Sequence, residues 1–218
     1  MLNAFSKPLK LLPTALSLAL LSAAMPGQDA GEAQQAIRPN AQTILIFVNQ
    51  AGQKVSEFIV RLARFRPDIV LEWENSIDQG TVHLFRSAVS QQDGFTLSRH
   101  FEVGVHSESS DMMTLWLPDK VFDELSRKGS VKMKYNNLPL KLKKEGEATF
   151  RFRYNKRQIE IPIIQASDAR RGQWSIWNNP DNPLVVQYES PYFKQHLKTM
   201  ATTNRPMLRW IKKVPPIR

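Results

Sequence analysis

The sequence contains no cysteine among its 218 residues, and this absence removes several classes of protein at once. Disulfide bonds, thiolate nucleophiles and cysteine-based zinc sites are all excluded. A lipid anchor on a cysteine that follows a signal peptide is excluded for the same reason. The fold must therefore be stabilised by an ordinary packed core.

Glycine and histidine are scarce, with nine and four residues. The chain contains no Gly-x-Ser-x-Gly elbow, no aspartic-protease triplet, no His-Glu-x-x-His sequence, no phosphate-binding glycine loop and no dinucleotide fingerprint. We therefore predict no cofactor, and no catalytic motif indicates an enzyme.

Long apolar runs are absent except near the N-terminus. Lys7 and Lys10 flank the start of an apolar stretch over 11–21, and Ser22-Ala23-Ala24 supplies the small residues that signal peptidase accepts. A membrane anchor is the alternative, but a spanning helix needs about 20 apolar residues and this stretch contains Pro13. We predict a cleaved signal peptide over 1–24, a periplasmic or extracellular location, and no transmembrane span after cleavage.

Charge is unevenly distributed, and no acidic residue follows Glu189. The formal net charge is +10. Residues 68–126 carry eleven acidic and three basic side chains, whereas residues 127–157 carry two acidic and eleven basic ones. Two interpretations remain open: the two segments face each other, within one sheet or across a homo-oligomer, or the basic segment binds a partner.

Residues beyond 42 follow a strand pattern with frequent turn-forming residues. The predicted strands cover 43–48, 58–65, 69–74, 81–87, 95–105, 112–117, 131–135, 138–143, 148–154, 159–164, 174–177 and 184–188. We predict a mainly β (α+β) fold, a curved antiparallel sheet or partly open barrel with two short helices. A flexible leader over 25–42 precedes this single domain, which covers 43–200, and a basic tail over 201–218 follows it.

One helix is predicted over 118–128. Pro118 suits a first helical position, Asp119 favours the positive end of the helix dipole, and Gly129 suits the position after the helix. The apolar side chains that share one face are Val121, Phe122 and Leu125.

A second short helix is predicted to begin at Ser190. Ser190 is a suitable N-cap with Pro191 behind it. Its apolar stripe would consist of Phe193, Leu197 and Met200.

Basic residues alternate with apolar ones in the predicted hairpins at 131–154. Because successive strand residues point to opposite faces, the aromatic side chains are expected in the core and the cations on the solvated face. We call this set the basic face: Lys132, Lys134, Lys141, Lys143, Arg151 and Arg153. Single-strand nucleic-acid binders place aromatics and cations on the same surface, so we do not expect a nucleic acid partner. An anionic lipid, an acidic polysaccharide or an acidic protein fits the basic face better.

The tail provides a second basic candidate surface. On a helical projection Arg209, Lys212 and Lys213 lie opposite an apolar side that contains Trp210. Such a segment suits an anionic membrane surface, with docking onto the domain or disorder as alternatives.

A metal site is the weakest candidate. If 100–106 were one strand, His100, Glu102 and His106 would share a face, and these are side chains that zinc or iron accepts. The two histidines would then be about 20 Å apart, too far for one ion without a bend at Gly104.

Two carboxylates share a strand face in the sequence Leu71-Glu72-Trp73-Glu74. Same-face neighbours lie about 7 Å apart, a separation within the range of inverting glycosidases. An acidic face on an outer strand gives the same pattern. A third carboxylate, Asp168, is more simply explained as a turn-forming residue.

The last predicted hairpin combines Trp174-Ser175-Ile176-Trp177 with Pro183-Leu184-Val185-Val186-Gln187-Tyr188. This hairpin resembles the closing strands of uncharacterised exported bacterial families with lipoprotein-carrier-like half-barrel folds. The resemblance implies a strongly curved antiparallel sheet, helices against its concave side and an apolar ligand between them.

Together these features favour an exported, non-catalytic envelope protein that binds an apolar or anionic envelope component or a protein partner. One alternative is a carboxylate- or His-dependent hydrolase of envelope material. Another is a structural assembly subunit that associates through its acidic and basic segments.

Overall fold

The computed structural model describes residues 37–97, 100–101 and 106–203. The signal peptide, Glu102 and the four tail residues Arg209, Trp210, Lys212 and Lys213 lie outside these ranges. Within them, thirteen strands and two helices follow one another along the chain. The strands are β1 Thr43–Ala51, β2 Lys54–Arg64, β3 Ile69–Glu74, β4 Gln79–Leu84, β5 Gly94–Phe95, β6 His106–Ser109, β7 Met112–Met113, β8 Ser130–Tyr135, β9 Leu138–Tyr154, β10 Arg157–Asp168, β11 Gln173–Trp177, β12 Val185–Glu189 and β13 Lys194–Thr202. The helices are α1 Arg86–Ser90, between β4 and β5, and α2 Asp119–Lys128, between β7 and β8.

All thirteen strands belong to one sheet, in the order β6-β4-β3-β2-β1-β13-β12-β11-β10-β9-β8-β5-β7. Most neighbours are antiparallel, with parallel pairs near both edges. The sheet is large and curved, and its strands form a partial ring. The predicted mainly β fold with a curved sheet and two helices is confirmed, although only one of the helices lies at a predicted position.

Strand β13 holds the two halves of the sheet together. It pairs with β1 on one side and β12 on the other, and near its end it also pairs in parallel with β9. Thr199 lies opposite Arg153 and Met200 opposite Tyr154 in this extra pairing. This extra pairing joins strands β9 to β13 into the partial ring.

Strand directions place five of the connections between neighbouring antiparallel strands at one end of the sheet. The turns connect β1 to β2, β3 to β4, β8 to β9, β10 to β11 and β12 to β13, over residues 52–53, 75–78, 136–137, 169–172 and 190–193. We call this end the hairpin rim. The opposite end, which we call the loop end, carries the connections 65–68, 155–156 and 178–184.

A continuous apolar core lies between the sheet and the segments that cover it. Trp73, Trp116, Trp174 and Trp177 are fully buried and dominate its volume. Ile37, which lies in the predicted leader, is also buried there. Complete burial of an isoleucine side chain favours folding by about 1.5–3 kcal/mol.

Helix α2 confirms the prediction at 118–128. Gly129 follows the helix with φ 72°, a left-handed conformation that glycine adopts without strain. The predicted face of Val121, Phe122 and Leu125 is buried. Within the described residues no helix is long and apolar enough to cross a membrane.

The predicted helix at Ser190 is wrong, because this segment is a tight turn followed by strand β13. In β13 Gln195, Leu197 and Met200 are buried. The pairing with β1 shifts between Ile46 and Phe47, so that Lys198 is an extra residue in a β-bulge. The bulge changes the spacing of buried residues from two to three, which imitates a helical pattern.

Residues 138–154 form the single strand β9, whereas two strands separated by a connection were predicted. A second bulge explains this difference, because the pairing with β10 shifts between Gln165 and Ala166 and leaves Glu145 as the extra residue. Ser167 Oγ donates a hydrogen bond to Glu145 at 2.6 Å.

The predicted strands agree least with the structure in the acidic segment, residues 68–126. Of the strand predicted over 95–105, only Phe95 lies in a described strand, and 86–90 form helix α1. Of the strand predicted over 112–117, Met112–Met113 is present, and Trp116 makes an isolated bridge with Leu184. Burial rather than strand pairing explains the apolar character of 114–117, all of which are buried.

Candidate ligand-binding site

The basic face is exposed on strands β8 and β9, and the alternating apolar residues Val131, Met133, Leu140 and Leu142 are buried. Phe152 is buried, with Phe150 and Tyr154 packed against the core. The predicted separation of cations from aromatics is therefore confirmed for these strands.

Carboxylates neutralise half of the basic face. Lys134 Nζ lies 3.4 Å from Asp93, and Lys143 Nζ lies 3.6 Å from Glu145. Arg151 forms an ion pair with Glu160 on the neighbouring strand. The Lys134–Asp93 pair joins the acidic segment to the basic one, whereas the other two pairs lie outside the acidic segment.

Lys132 and Lys141 are directly opposite each other across β8 and β9 and make no ion pair within the described residues. Like charges in this arrangement destabilise a sheet. Both lysines line a cleft of about 330 Å³ together with Lys120. The two carboxylates of this cleft are engaged, Asp93 by Lys134 and Glu124 by Lys128. The cleft is therefore an open cationic surface.

A larger cleft of about 710 Å³ lies at the loop end, and we call it the loop-end cleft. Three segments supply its walls: residues 37–39, the start of the β2–β3 connection at 65–66, and residues 177–182 at and after the end of β11. Its lining combines the apolar side chains of Ile37 and Phe65 with the charged residues Arg38, Arg66 and Asp181. Such a mixture of apolar surface and a few polar groups is typical of ligand sites.

Asn182 lines the loop-end cleft and is 1% exposed. Trp116 Nε1 donates a hydrogen bond to Asn182 Oδ1 at 2.7 Å. Because an indole N–H can only donate, this bond fixes the amide oxygen toward Trp116 and defines the other atom as Nδ2. Nδ2 has no hydrogen-bond partner within the described residues. A buried donor without an acceptor costs about 1–3 kcal/mol, so this position favours an added acceptor.

Arg66 is held in a fixed position at the edge of the same cleft. Its guanidinium makes two hydrogen bonds to the Asp119 carboxylate, at 2.8 and 2.7 Å, and Nε donates to the carbonyl of Asp181 at 3.0 Å. It also lies 5.7 Å from the centre of the Phe65 ring. These contacts connect the β2–β3 connection to α2 and to the 178–184 loop, so the walls of the cleft are tied together.

Glu72 and Glu74 share the outer face of β3, as the sequence predicts, but they have different surroundings. Arg61 donates to Glu74 at 2.6 Å, and this hydrogen bond lowers the pKa of Glu74. Burial raises the pKa of Glu72, against a smaller opposing effect of Arg61. Neither residue lines the clefts described above.

The two histidines predicted as metal ligands have different hydrogen-bond partners. His100 lies in a turn, with Nδ1 3.2 Å from Ser107 Oγ, and His106 begins strand β6. His106 contacts Thr81 Oγ1 at 2.7 Å through Nδ1 and Glu108 at 3.2 Å through Nε2. Among the described residues no group of three or more His, Asp or Glu side chains is arranged to hold a metal ion.

Asp168 organises the β10–β11 turn. Its Oδ1 accepts hydrogen bonds from the backbone N–H groups of Arg170 and Gly172, and its Oδ2 accepts one from Trp174 Nε1 at 2.8 Å. These three bonds support the prediction that Asp168 forms a turn.

Sequence reasoning missed Asn182, which the sequence showed only as one of several turn-forming residues at 178–183. The signal that could have found it is the proximity of Trp116, and this contact spans 66 positions of the chain. A scan against protein-family models found no match, and a search of the curated proteins found no significant similarity.

Proposed function

We propose that the protein is an exported, non-catalytic binding protein that holds an amphiphilic component of the cell envelope in the loop-end cleft. The observation that carries this proposal is the buried amide of Asn182, a residue of the cleft lining whose Nδ2 has no acceptor among the described residues. Export rests on the signal peptide predicted for the first 24 residues.

The chemistry of the cleft defines the ligand class. Asn182 Nδ2 suits an acceptor oxygen of a carbonyl, hydroxyl or acidic group, since an amide N–H donates to each of these. Phe65 is half-buried and offers apolar surface beside that position. Arg38 is exposed, makes no ion pair within the described residues and favours a negatively charged group at the cleft entrance. An amphiphile with an acidic or carbonyl head group meets all three conditions.

A binding measurement with 8-anilinonaphthalene-1-sulfonate tests the cleft directly, because this probe joins an aromatic part to an anionic acceptor. Asn182→Asp keeps the acceptor for Trp116 and replaces the free donor by an oxygen. We expect this change to weaken probe binding about tenfold, since one buried hydrogen bond is lost and two acceptors are brought together. Fluorescence titration of the full chain measures the effect.

Two further variants serve as controls. Asn75→Asp makes the same chemical change at the hairpin rim, where the Asn75 side chain only accepts hydrogen bonds, and should leave probe binding unchanged. Arg38→Gln changes an exposed cation of the cleft and should weaken binding without altering the melting temperature. Equal binding by the wild-type, Asn182→Asp and Arg38→Gln proteins would exclude the cleft as the site.

Native mass spectrometry of protein purified from its own host identifies the natural ligand. A bound small molecule that is absent from Asn182→Asp would support the proposal. The mass of the same protein also tests export, because cleavage after Ala24 gives a chain that starts at Met25. A chain that retains the first 24 residues would contradict the signal peptide.

A further inference from the structure

Four large apolar side chains are exposed at the hairpin rim, far from the loop-end cleft. Their exposed fractions are 87% for Tyr192, 86% for Ile77, 65% for Val55 and 52% for Leu138. Among the described residues, these four are the large apolar side chains that are exposed to solvent. Because each lies in or beside a different hairpin turn, the exposed apolar surface is concentrated at one end of the sheet.

Local hydrogen bonds hold these side chains outward on short, ordered turns. Asn75 Oδ1 accepts from the backbone N–H groups of Ile77 and Asp78, both at 2.8 Å. Ser190 Oγ accepts from the N–H of Phe193 at 3.2 Å, and the backbone N–H of Ser190 donates to the Phe193 carbonyl at 2.8 Å. Phe193 packs against the core while Tyr192 remains exposed. The exposure of Ile77 and Tyr192 is therefore built into the turns.

Three cations without an ion-pair partner in the described residues lie in or beside the same hairpin turns. Lys54, Arg170 and Arg171 are exposed and make no ion pair within the described residues. The carboxylate of Glu189 is paired with Lys194 at 2.8 Å. The carboxylate of Asp168 is occupied by the hydrogen bonds of its own turn.

In the described part of the hairpin turns, the other two carboxylates are Glu74 and Asp78. Glu74 is paired with Arg61, which leaves Asp78 among these described carboxylates to oppose the three cations. The rim therefore presents separate apolar side chains with an excess of positive charge.

We propose that the hairpin rim docks onto a lipid bilayer with anionic head groups. Single apolar side chains on separate turns can each enter the interfacial layer, whereas a stable protein interface needs a continuous packed patch of about 800 Å² on each partner. Tyrosine suits the membrane interface because its ring is apolar and its hydroxyl is polar. Cations beside the apolar residues match an anionic surface. This surface lies opposite the loop-end cleft and does not depend on the function proposed for that cleft.

Sedimentation of the full chain with lipid vesicles tests the proposal. The vesicles consist of phosphatidylcholine with or without phosphatidylglycerol. We expect binding to the anionic vesicles that weakens with added salt. Arg170→Gln with Arg171→Gln should reduce this binding about fivefold for each cation removed. Ile77→Ser with Tyr192→Ser should reduce it about tenfold or more.

The matched control is Lys156→Gln with Arg157→Gln, which removes two adjacent exposed cations from a hairpin turn at the loop end. This control should bind anionic vesicles as the wild-type protein does. An equal loss in the control and in the rim variants would show general charge attraction and overturn the proposal. Failure of the wild-type chain to bind vesicles would overturn it as well.

Analytical ultracentrifugation separates a lipid surface from contact with a second copy. A wild-type dimer that Ile77→Ser with Tyr192→Ser converts to a monomer would assign the rim to self-association and overturn lipid docking. Unchanged melting temperatures in all variants would confirm that the losses arise from the surface and not from unfolding.

Discussion

Glu72 and Glu74 show how strongly the surroundings of one residue decide its chemistry. Both carboxylates project from the same face of β3, two positions apart. Arg61 stabilises the ionised form of Glu74, whereas burial disfavours the ionised form of Glu72. Their contributions to stability should therefore respond to pH in opposite directions.

Substitution of the two residues by glutamine tests this difference. The pKa of Glu74 is lower in the folded state, so its stabilising effect is present above the usual carboxyl pKa and is lost as the pH falls through the folded-state value. Glu74→Gln should lower the free energy of unfolding at neutral pH by up to about 1 kcal/mol, as expected for a partly exposed ion pair. At about pH 3 the difference from the wild-type protein should shrink. Urea unfolding at both pH values measures it.

Glu72→Gln should have the opposite effect. Because its folded-state pKa is raised, the folded protein loses stability as the pH rises from the usual carboxyl pKa through the folded-state value. Replacement by glutamine should therefore increase the free energy of unfolding at neutral pH and change it little at about pH 3. A variant that is less stable than the wild-type protein at neutral pH would contradict the assignment of burial as the main cause.

At the residue scale, the role of Asn182 could not be predicted from the sequence. The sequence indicates a turn at 178–183, because two prolines and three asparagines occur together, and the structure places a connection there. The hydrogen bond from Trp116, however, depends on two segments meeting in the folded chain. The basic face was predictable because it needs only the alternation of residues within each of two strands.

At the scale of single elements, helix α2 and the turn between the predicted strands 131–135 and 138–143, which consists of Asn136 and Asn137, were predicted because their signals are local. Pro118, Asp119 and Gly129 mark the two ends of the helix within the sequence itself. Both asparagines adopt positive φ angles, 52° and 65°, as a two-residue hairpin turn requires. In contrast, β13 and the middle of β9 were misassigned because their bulges alter the spacing that identifies a strand.

Gly129 provides a test of the helix end. Its positive φ of 72° disfavours any side chain, although no atom lies within 4 Å of the position of an added Cβ. Gly129→Ala should therefore lower the free energy of unfolding by about 1 kcal/mol through backbone conformation alone.

Gly146→Ala is the matched control for this prediction. Gly146 also has free space around an added Cβ, but its φ is not positive. Alanine there should leave stability unchanged or raise it slightly, since it restricts the unfolded chain. Equal destabilisation by both changes in chemical denaturation would show that conformation at Gly129 is not the cause.

At the scale of the whole molecule, β13 is the strand on which the sheet depends most. It separates β1–β4 from β10–β12 in the strand order, and it also contacts β9. Gln195 on β13 donates a hydrogen bond to Asn49 on β1 at 2.9 Å. Loss of β13 would expose a long edge of β1 and a shorter edge of β12.

A pair of shortened chains tests the role of β13. A chain that ends at Phe193 should lose cooperative unfolding and the near-ultraviolet circular dichroism signal of its packed aromatic residues. A chain that ends at Thr203 retains every described strand and should keep both properties. Cooperative unfolding of the shorter chain would show that β1 and β12 remain ordered without β13.

The pairing of β1 with β13 also determines when the sheet can be completed during synthesis. Gln195 and Asn49 lie 146 positions apart in sequence, so the first strand emerges from the ribosome long before its central partner. Contacts between such distant segments form slowly. The nascent chain therefore lacks the strand that joins its two halves until almost the whole sheet has been translated. Under the export that we propose, this delay favours a chain that is still unfolded when a secretion channel threads it.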